Sequence, residues 1–462
     1  MDGDVRINPY LAGNFAPVRS EDDFDLKVTG EIPTGLRGAL FRIGPNPQFD
    51  PKGDYHWFGG DGMVHGFYVE DGKVRYRNRY VRTPKWELEH EHGRHLFGAM
   101  GNPMTTDPLA MGNEGGVANT NVLMHAGKLL ALEEAHHPFA MDARTLESKG
   151  YDRAFKGKVT AHPKIDPKTG EMLWFAYGVG EMPLSAGMSY GRTAPDGTLI
   201  SRQDFQAPFA CMAHDFMVTE HHALFPILPL TASLERAMKG LPPFAWEPDK
   251  GAYVGVMRRD ADVSTIRWFN APACYVFHPL NSWEDGDKIY CDVMRYNVAP
   301  LFPKADGSPG DKAAARLMRW TFDLAGNSDA IIETPLDDLD GEFPRVDPRV
   351  ETLKHRHAWY AADPTGAKTV RQGAIAHLDM TTGKRQVYEL NGGDQTSEPV
   401  FVKRSADAAE GDGWLTAVIW RAAENRSDLA VFEARDIAKG PIGIAEMPRR
   451  VPFGFHGNWA DL

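Results

Sequence analysis

Apolar and polar residues alternate in short runs along most of the chain, and turn residues separate the runs. In VHGFYVEDGKVRYRNRYV two alternating runs flank Asp71 and Gly72, which predicts a β-hairpin. LMHAGKLLALEE predicts another, turning at Gly127 and Lys128. Further turns are predicted at DPKTGE (166–171), PDGT (195–198), EDGD (284–287), DLAGN (323–327), TTGK (381–384) and ENRSD (424–428), each between segments rich in aromatic and β-branched residues. Helical periodicity is confined to two short pieces, LTASLERAMKG around Ser233 and DKAAARLMRW around Ala313. The pattern predicts an all-β chain.

The runs are spread evenly, with no Gly-, Ser- or Pro-rich linker between them. That favours one β-propeller domain over residues 1–462 rather than two sandwiches. Near-identical copies of a WD or kelch type are missing, so the blades are expected to be irregular. Two connections, the Pro- and Gly-rich 98–116 and the stretch 225–246, are expected to gather on one face as a lid over the axis.

Composition narrows the function classes. The net charge is −12, from 51 Lys and Arg against 63 Asp and Glu, and there is no basic stripe, which argues against nucleic acid as a partner. No apolar stretch reaches the ~18 residues needed to span a bilayer. The opening MDGDVRINPY has neither a basic nor an apolar leader segment, so the expected location is cytoplasmic, compatible with peripheral membrane contact. Three cysteines, Cys211, Cys274 and Cys291, are too few to frame a 462-residue chain, and they fit a reducing compartment.

Candidate chemistry enters through histidines in apolar, strand-like surroundings. His214 lies in APFACMAHDFMV and His278 in ACYVFHPLNSWEDGDKIYCDV; His162 in GKVTAHPKIDP and His456 in VPFGFHGNWADL share this setting. An interior imidazole has two ring nitrogens to satisfy, and a metal with a carboxylate does so, which makes these four a candidate metal site. Inner strands of several blades would bring such distant residues to one axis. Histidines clustered within a few residues (His90 and His92, His136 and His137, His221 and His222, His355 and His357) read instead as local polar groups. A Cys2His2 zinc site from Cys211, His214, Cys274 and His278 conflicts with strand period, because positions three apart point to opposite faces.

These residues stand within motifs that resemble the carotenoid cleavage oxygenase family, which includes the bacterial lignostilbene and isoeugenol oxygenases. The motifs are GNFAPV (13–18), GEIPTGLRGALFRIGPNP (30–47), HWFGGDGMVHGF (56–67), HDF at His214, EFPRVDPR at Glu342, SEPVFV around Glu398, EGDGW at Glu410 and HGNWAD at His456. The resemblance implies a seven-bladed propeller with a lid, and a non-haem iron(II) held on its axis by His162, His214, His278 and His456. It implies supporting carboxylates at Glu134, Glu342 and Glu398, with Glu134 rather than its neighbour Glu133 facing inward. It also places Thr120 beside the open side of the iron, where it shapes access of oxygen.

Four neutral imidazoles would leave the full charge of the ion in place and two octahedral positions free. The implied activity is oxidative cleavage of a conjugated carbon–carbon double bond by dioxygen to two carbonyl products. Stilbene-cleaving members of the family hold a substrate phenol with a tyrosine in an LFGxYRNPxTDD-like segment and a lysine in an LKED-like segment. Here those segments read LFGAMGNPMTTDP and LEEA, so Met100 and Glu133 stand in their places. Met100 and Met104, with Phe58, suit an apolar polyene such as an apocarotenoid, and a glutamate repels a phenolate. The alternative substrate is a stilbene or phenylpropene. A propeller serving as a scaffold would not require axial histidines.

Overall fold

The computed structural model describes residues 8–53, 55–98, 105–367 and 372–462. Among these, seven antiparallel sheets of four to six strands form the blades of a propeller, and a two-stranded sheet joins Leu230–Ala232 to Phe244–Trp246. The hairpins predicted from alternation are present. Gly62–Glu70 pairs with Lys73–Tyr80 across Asp71 and Gly72, both at positive φ, as the tight turn requires. In Lys73–Tyr80 the even positions Val74, Tyr76, Asn78 and Tyr80 are buried between blades, while the odd ones carry solvent-facing or half-buried Lys and Arg. The turn in LMHAGKLLALEE sits one residue earlier than predicted, at Ala126 and Gly127, again both at positive φ.

Pairing between the chain ends closes the ring in two blades. Gly457–Ala460 lies against Gly38–Pro45, with Arg42 opposite Gly457, and Lys27–Gly30 adds to the outer edge of the blade built on Gly443–Glu446. Closure of this kind leaves only short blade edges unpaired. The inner strands of successive blades touch around the axis: Met217–Val218 meets Tyr275–Asp285, which meets Gly341–Arg345, and Gly457–Ala460 meets both Val400–Lys403 and Asn121–His125. The space between blades is filled by bulky apolar side chains, including the fully buried Trp174, Trp320 and Trp359.

Helix content departs from expectation in two places. LTASLERAMKG forms the short helix Leu234–Met238, capped by the Ser233 hydroxyl, but the segment around Ala313 leads into the strand Arg316–Asp323. There strand pairing with Lys288–Tyr296 prevails over the local helix propensity of DKAAARLM. Conversely Pro84–His92 is helical, so His90 and His92 lie on a helix rather than on a strand. Its end signals are conventional: Thr83 as N-cap, Pro84 in the first turn and Gly93 at φ +63. A pattern-based reading passes over it because its apolar face is too weak.

The buried Thr83 hydroxyl accepts the Trp86 N–H at 3.3 Å. Thr83→Ala is expected to cost about 1 kcal/mol of stability, read as a lower urea midpoint; no change would show that tertiary packing alone holds the helix.

Candidate metal centre

Each residue singled out at the centre lies just before or within the inner strand of its blade or at a break in that strand, except Glu134, which follows the second strand of its blade. His162 precedes Lys164–Ile165, His214 precedes Met217–Val218 and His456 precedes Gly457–Ala460. His278 lies inside Tyr275–Asp285, at the register shift between Val276 and Pro279. Such a bulge re-aims a side chain that the regular pleat would direct elsewhere. Glu342 stands at a similar shift in Gly341–Arg345, followed by Phe343 at φ +54. Glu398 occupies the gap between Gln395–Thr396 and Val400–Lys403, and Glu134 follows Lys128–Leu132. Four blades thus supply histidines and the other three supply carboxylates.

The four imidazoles converge. The His214 Nε2 lies 3.0 Å from the His162 Nε2 and 3.1 Å from the His278 Nε2, and one nitrogen from each of the four rings falls within 4.8 Å of the others. All four rings are buried. On the far side, His214 Nδ1 bonds to Glu134, His278 Nδ1 lies 2.5 Å from Glu342 Oε2, and His456 Nδ1 lies 3.1 Å from Glu398 Oε1. His162 Nδ1 has a carboxylate only at 3.8 Å, from Asp215.

A carboxylate at Nδ1 keeps the proton there and leaves the Nε2 lone pair facing inward. Three such lone pairs pointing into one small space repel one another unless a cation lies between them. Two nitrogens bound at right angles to one ion, each at about 2.1 Å, would be about 3 Å apart, which matches the spacings seen. The donor set therefore fits a metal ion, and imidazole donors suit zinc, copper, iron or nickel.

At two of the four rings the electrostatics agree, while the carboxylate of Glu342 raises the pKa of His278 against the effect of burial. Burial and the neighbouring histidines push His162 well below its ordinary pKa, and burial brings His456 to about 4 against the pull of Glu398, so both rings are neutral. Glu398 is held at about 2 despite burial, by the Arg345 guanidinium and His456. Among the described residues this is the only group of three or more His, Cys, Asp or Glu side chains arranged to hold a metal. The cysteines are not part of it: all three are buried and unpaired, and burial raises Cys211 to about 12.

Above the histidines opens a cavity of about 630 Å³, within the range of small-molecule sites. Its wall is mostly apolar and includes several aromatic rings: Phe58 and Phe455 meet edge to face at 5.5 Å, and Phe343 stacks on His278 at 5.3 Å. Leu184, Leu301 and Phe343 on this wall all have positive φ, a backbone cost that tertiary structure must offset.

Residues 15–461 match the family described as retinal pigment epithelial membrane protein. The chain is 41% identical to lignostilbene-alpha,beta-dioxygenase isozyme III of Sphingomonas paucimobilis, over 98% of this chain and 96% of that one. It is 39% identical to an isoeugenol monooxygenase of Pseudomonas putida, over 98% of each. Among solved structures, Pseudomonas brassicacearum lignostilbene dioxygenase superposes with a TM-score of 0.94 at 37% identity over 98% of each chain. A Synechocystis apocarotenoid oxygenase variant does so at 0.86 and 26%, over 96% of this chain and 97% of that one. The chain belongs to the carotenoid cleavage oxygenase family.

Set against what the resemblance to carotenoid cleavage oxygenases implies, His162, His214, His278 and His456 are brought together, and Glu134, Glu342 and Glu398 lie behind three of them. Phe58 and Thr120 line the cavity; the Thr120 hydroxyl donates to Asn119 at 3.0 Å and its carbonyl accepts the His456 N–H at 3.2 Å. Met100 and Met104 lie outside the described residues, as does the 99–104 part of the expected lid connection 98–116. From the other lid stretch, Ala232 and Phe244 line the cavity.

One expectation is corrected. Glu133 and Glu134 both face the cavity, because the strand ends at Leu132 and its alternation no longer applies. Glu133 is already engaged, accepting from the Val117 N–H at 3.1 Å and lying 2.8 Å from His136 Nδ1.

Two residues of the site were not singled out from sequence. The Tyr177 hydroxyl donates to the second oxygen of Glu134, and Tyr296 lies beside Glu342; burial and those carboxylates hold both phenols well above their ordinary pKa, so they remain protonated donors. Each tyrosine ends or lies close to the end of a strand, Met172–Tyr177 or Lys288–Tyr296, in a blade next to that of its glutamate. No local signal marks such a pair.

Proposed function

We propose that this chain is an iron(II)-dependent oxygenase, a single propeller domain, that cleaves a conjugated carbon–carbon double bond. One alkene and one dioxygen give two carbonyl products. The observation that carries this reading is the set of four buried imidazoles, three of them backed by carboxylates, at the floor of a predominantly aromatic and aliphatic cavity. We assign His162, His214, His278 and His456 as the ligands, and Glu134, Glu342 and Glu398 as the groups that fix the ring tautomers.

An iron(II) ion bound there would supply the redox chemistry that activates dioxygen. The chain's own residues do the rest. Tyr177 and Tyr296 hold Glu134 and Glu342, the aromatic wall keeps water from a flat apolar substrate, and we assign Thr120 to shaping access to the centre. The substrate we favour is an apocarotenoid, supported by the absence of a lysine at position 133, where Glu133 is paired with His136. A second reading, a stilbene or phenylpropene, is supported by the likeness to lignostilbene dioxygenase and isoeugenol monooxygenase.

No described helix is long and apolar enough to cross a membrane. The three unpaired, buried cysteines support the cytoplasmic location proposed with this function.

The test is iron analysis of protein purified without chelator, followed by a panel of apocarotenals and 4-hydroxystilbenes with aldehyde products identified by mass. About one iron per chain and a pair of aldehydes from one substrate class are expected. Protein without iron that forms no aldehyde when Fe(II) is added would overturn the function. Faster turnover of a hydroxystilbene than of every apocarotenal would reverse the order of the substrate readings.

A further inference from the structure

The charged side chains on the cavity wall are unequally paired. Glu134 is bonded to His214 and Tyr177, and Glu133 accepts from the Val117 N–H and lies 2.8 Å from the His136 ring. Lys158 lines the same cavity, half-buried, and its Nζ donates to the Gly178 carbonyl at 2.6 Å. Among the described residues it forms no ion pair, and an ammonium has three donors.

Its position is well defined. Val159 N–H bonds to the His136 carbonyl at 3.2 Å and Thr160 N–H to that of Phe175 at 2.6 Å, so the segment leading from Lys158 to His162 is held between two blades. Asp311 and an exposed lysine, Lys312, also line the cavity, but Lys158 is the half-buried cation on its wall and, without a counter-charge among the described residues, is set to receive one from a ligand. The nearby acid does not cancel it, since Glu133 is compensated by His136.

We infer that Lys158 is the docking point for an anionic oxygen, a carboxylate or a phenolate, at one end of the conjugated substrate. The substrate class is then an apolar conjugated body with one acidic terminus. This deepens the function proposed above and rests on the cavity being the substrate site. It also relocates the cation: the lysine that stilbene-cleaving relatives carry at the position of Glu133 is absent, and a lysine from the neighbouring blade's approach segment faces the same space.

The test is anaerobic fluorescence titration of the full-length protein with trans-stilbene, trans-stilbene-4-carboxylate and trans-4-hydroxystilbene, using the wild type, Lys158→Met and Lys158→Arg. The wild type is expected to bind the carboxylate at least about tenfold more tightly than the hydrocarbon, as one charge-assisted contact allows. Lys158→Met removes that preference and affects the hydrocarbon far less, while Lys158→Arg keeps most of it. A preference for the hydroxystilbene that rises as its phenol ionises identifies phenolate as a second acceptable terminus.

Equal weakening of all ligands by Lys158→Met would mean that the lysine only anchors Gly178, and would overturn the inference. So would a wild type that does not distinguish carboxylate from hydrocarbon or binds neither. If the preference holds but no aldehyde forms with Fe(II) in air, the cleavage function fails and the Lys158 site stands. Aldehyde formation without the preference removes the Lys158 site alone.

Discussion

His214→Ala is expected to lose both iron and turnover while the propeller stays folded. The His214 Nε2 lies 3.0 Å from that of His162 and 3.1 Å from that of His278. Its removal deletes one donor and also leaves the Glu134 carboxylate without the ring N–H it faces. The remaining three nitrogens no longer surround the ion, and metal affinity falls with the ligand count. The fold survives because His214 lies outside the strand ladder, just ahead of Met217–Val218, and carries no pairing that closes a blade.

Elemental analysis should show iron falling from about one per chain toward none, with aldehyde formation reduced at least about a hundredfold and the far-ultraviolet circular dichroism unchanged. Alanine at His162, His278 or His456 is expected to behave alike. Full iron and full turnover in two of the four variants would show that the centre is not this constellation.

Glu342→Gln and Glu398→Gln should each lower metal affinity or activity by about 10- to 100-fold. Glu342 Oε2 accepts from His278 Nδ1 at 2.5 Å and from the Phe343 N–H at 2.6 Å, so both the ring and the strained residue beside it depend on that oxygen. Glu398 meets His456 Nδ1 at 3.1 Å, the Gly457 N–H at 2.9 Å and Arg345 at 3.4 Å. An amide keeps one acceptor but gives up the charge that makes the imidazole a stronger donor to a cation and that compensates Arg345.

Glu133→Gln, whose carboxylate faces His136 rather than a ring of the centre, serves as the comparison and should change metal content less. Similar tolerance at all three positions would show that the carboxylates do not act through the histidines. The depressed pKa of Glu398 adds a pH signature. Its contribution to stability is present above the ordinary carboxylate range near about 4.3 and is lost as pH falls through about 2, a loss that Glu398→Gln should not show.

Sequence alone determined the features that depend on near neighbours. Strands follow from period-two alternation, and turns from residues that accept positive φ, as at Asp71 and Gly72. The four histidines stood out because an imidazole in an apolar run requires partners. Even so, local propensity misread the segment around Ala313, where pairing with a strand distant in sequence prevails, and alternation misread Glu133, one residue beyond the end of its strand.

The tertiary structure decided the pairings. It set Glu134 behind His214, Glu342 behind His278 and Glu398 behind His456, left His162 without such a partner, and brought Tyr177 to Glu134. It also left Lys158 on the cavity wall without a counter-ion among the described residues. The reason is geometric: a closed ring of blades brings the starts of inner strands to one axis whatever their separation in the chain. Which side chains then touch depends on bulges, strand ends and blade order, and none of these leaves a periodic trace in the residues that precede or follow.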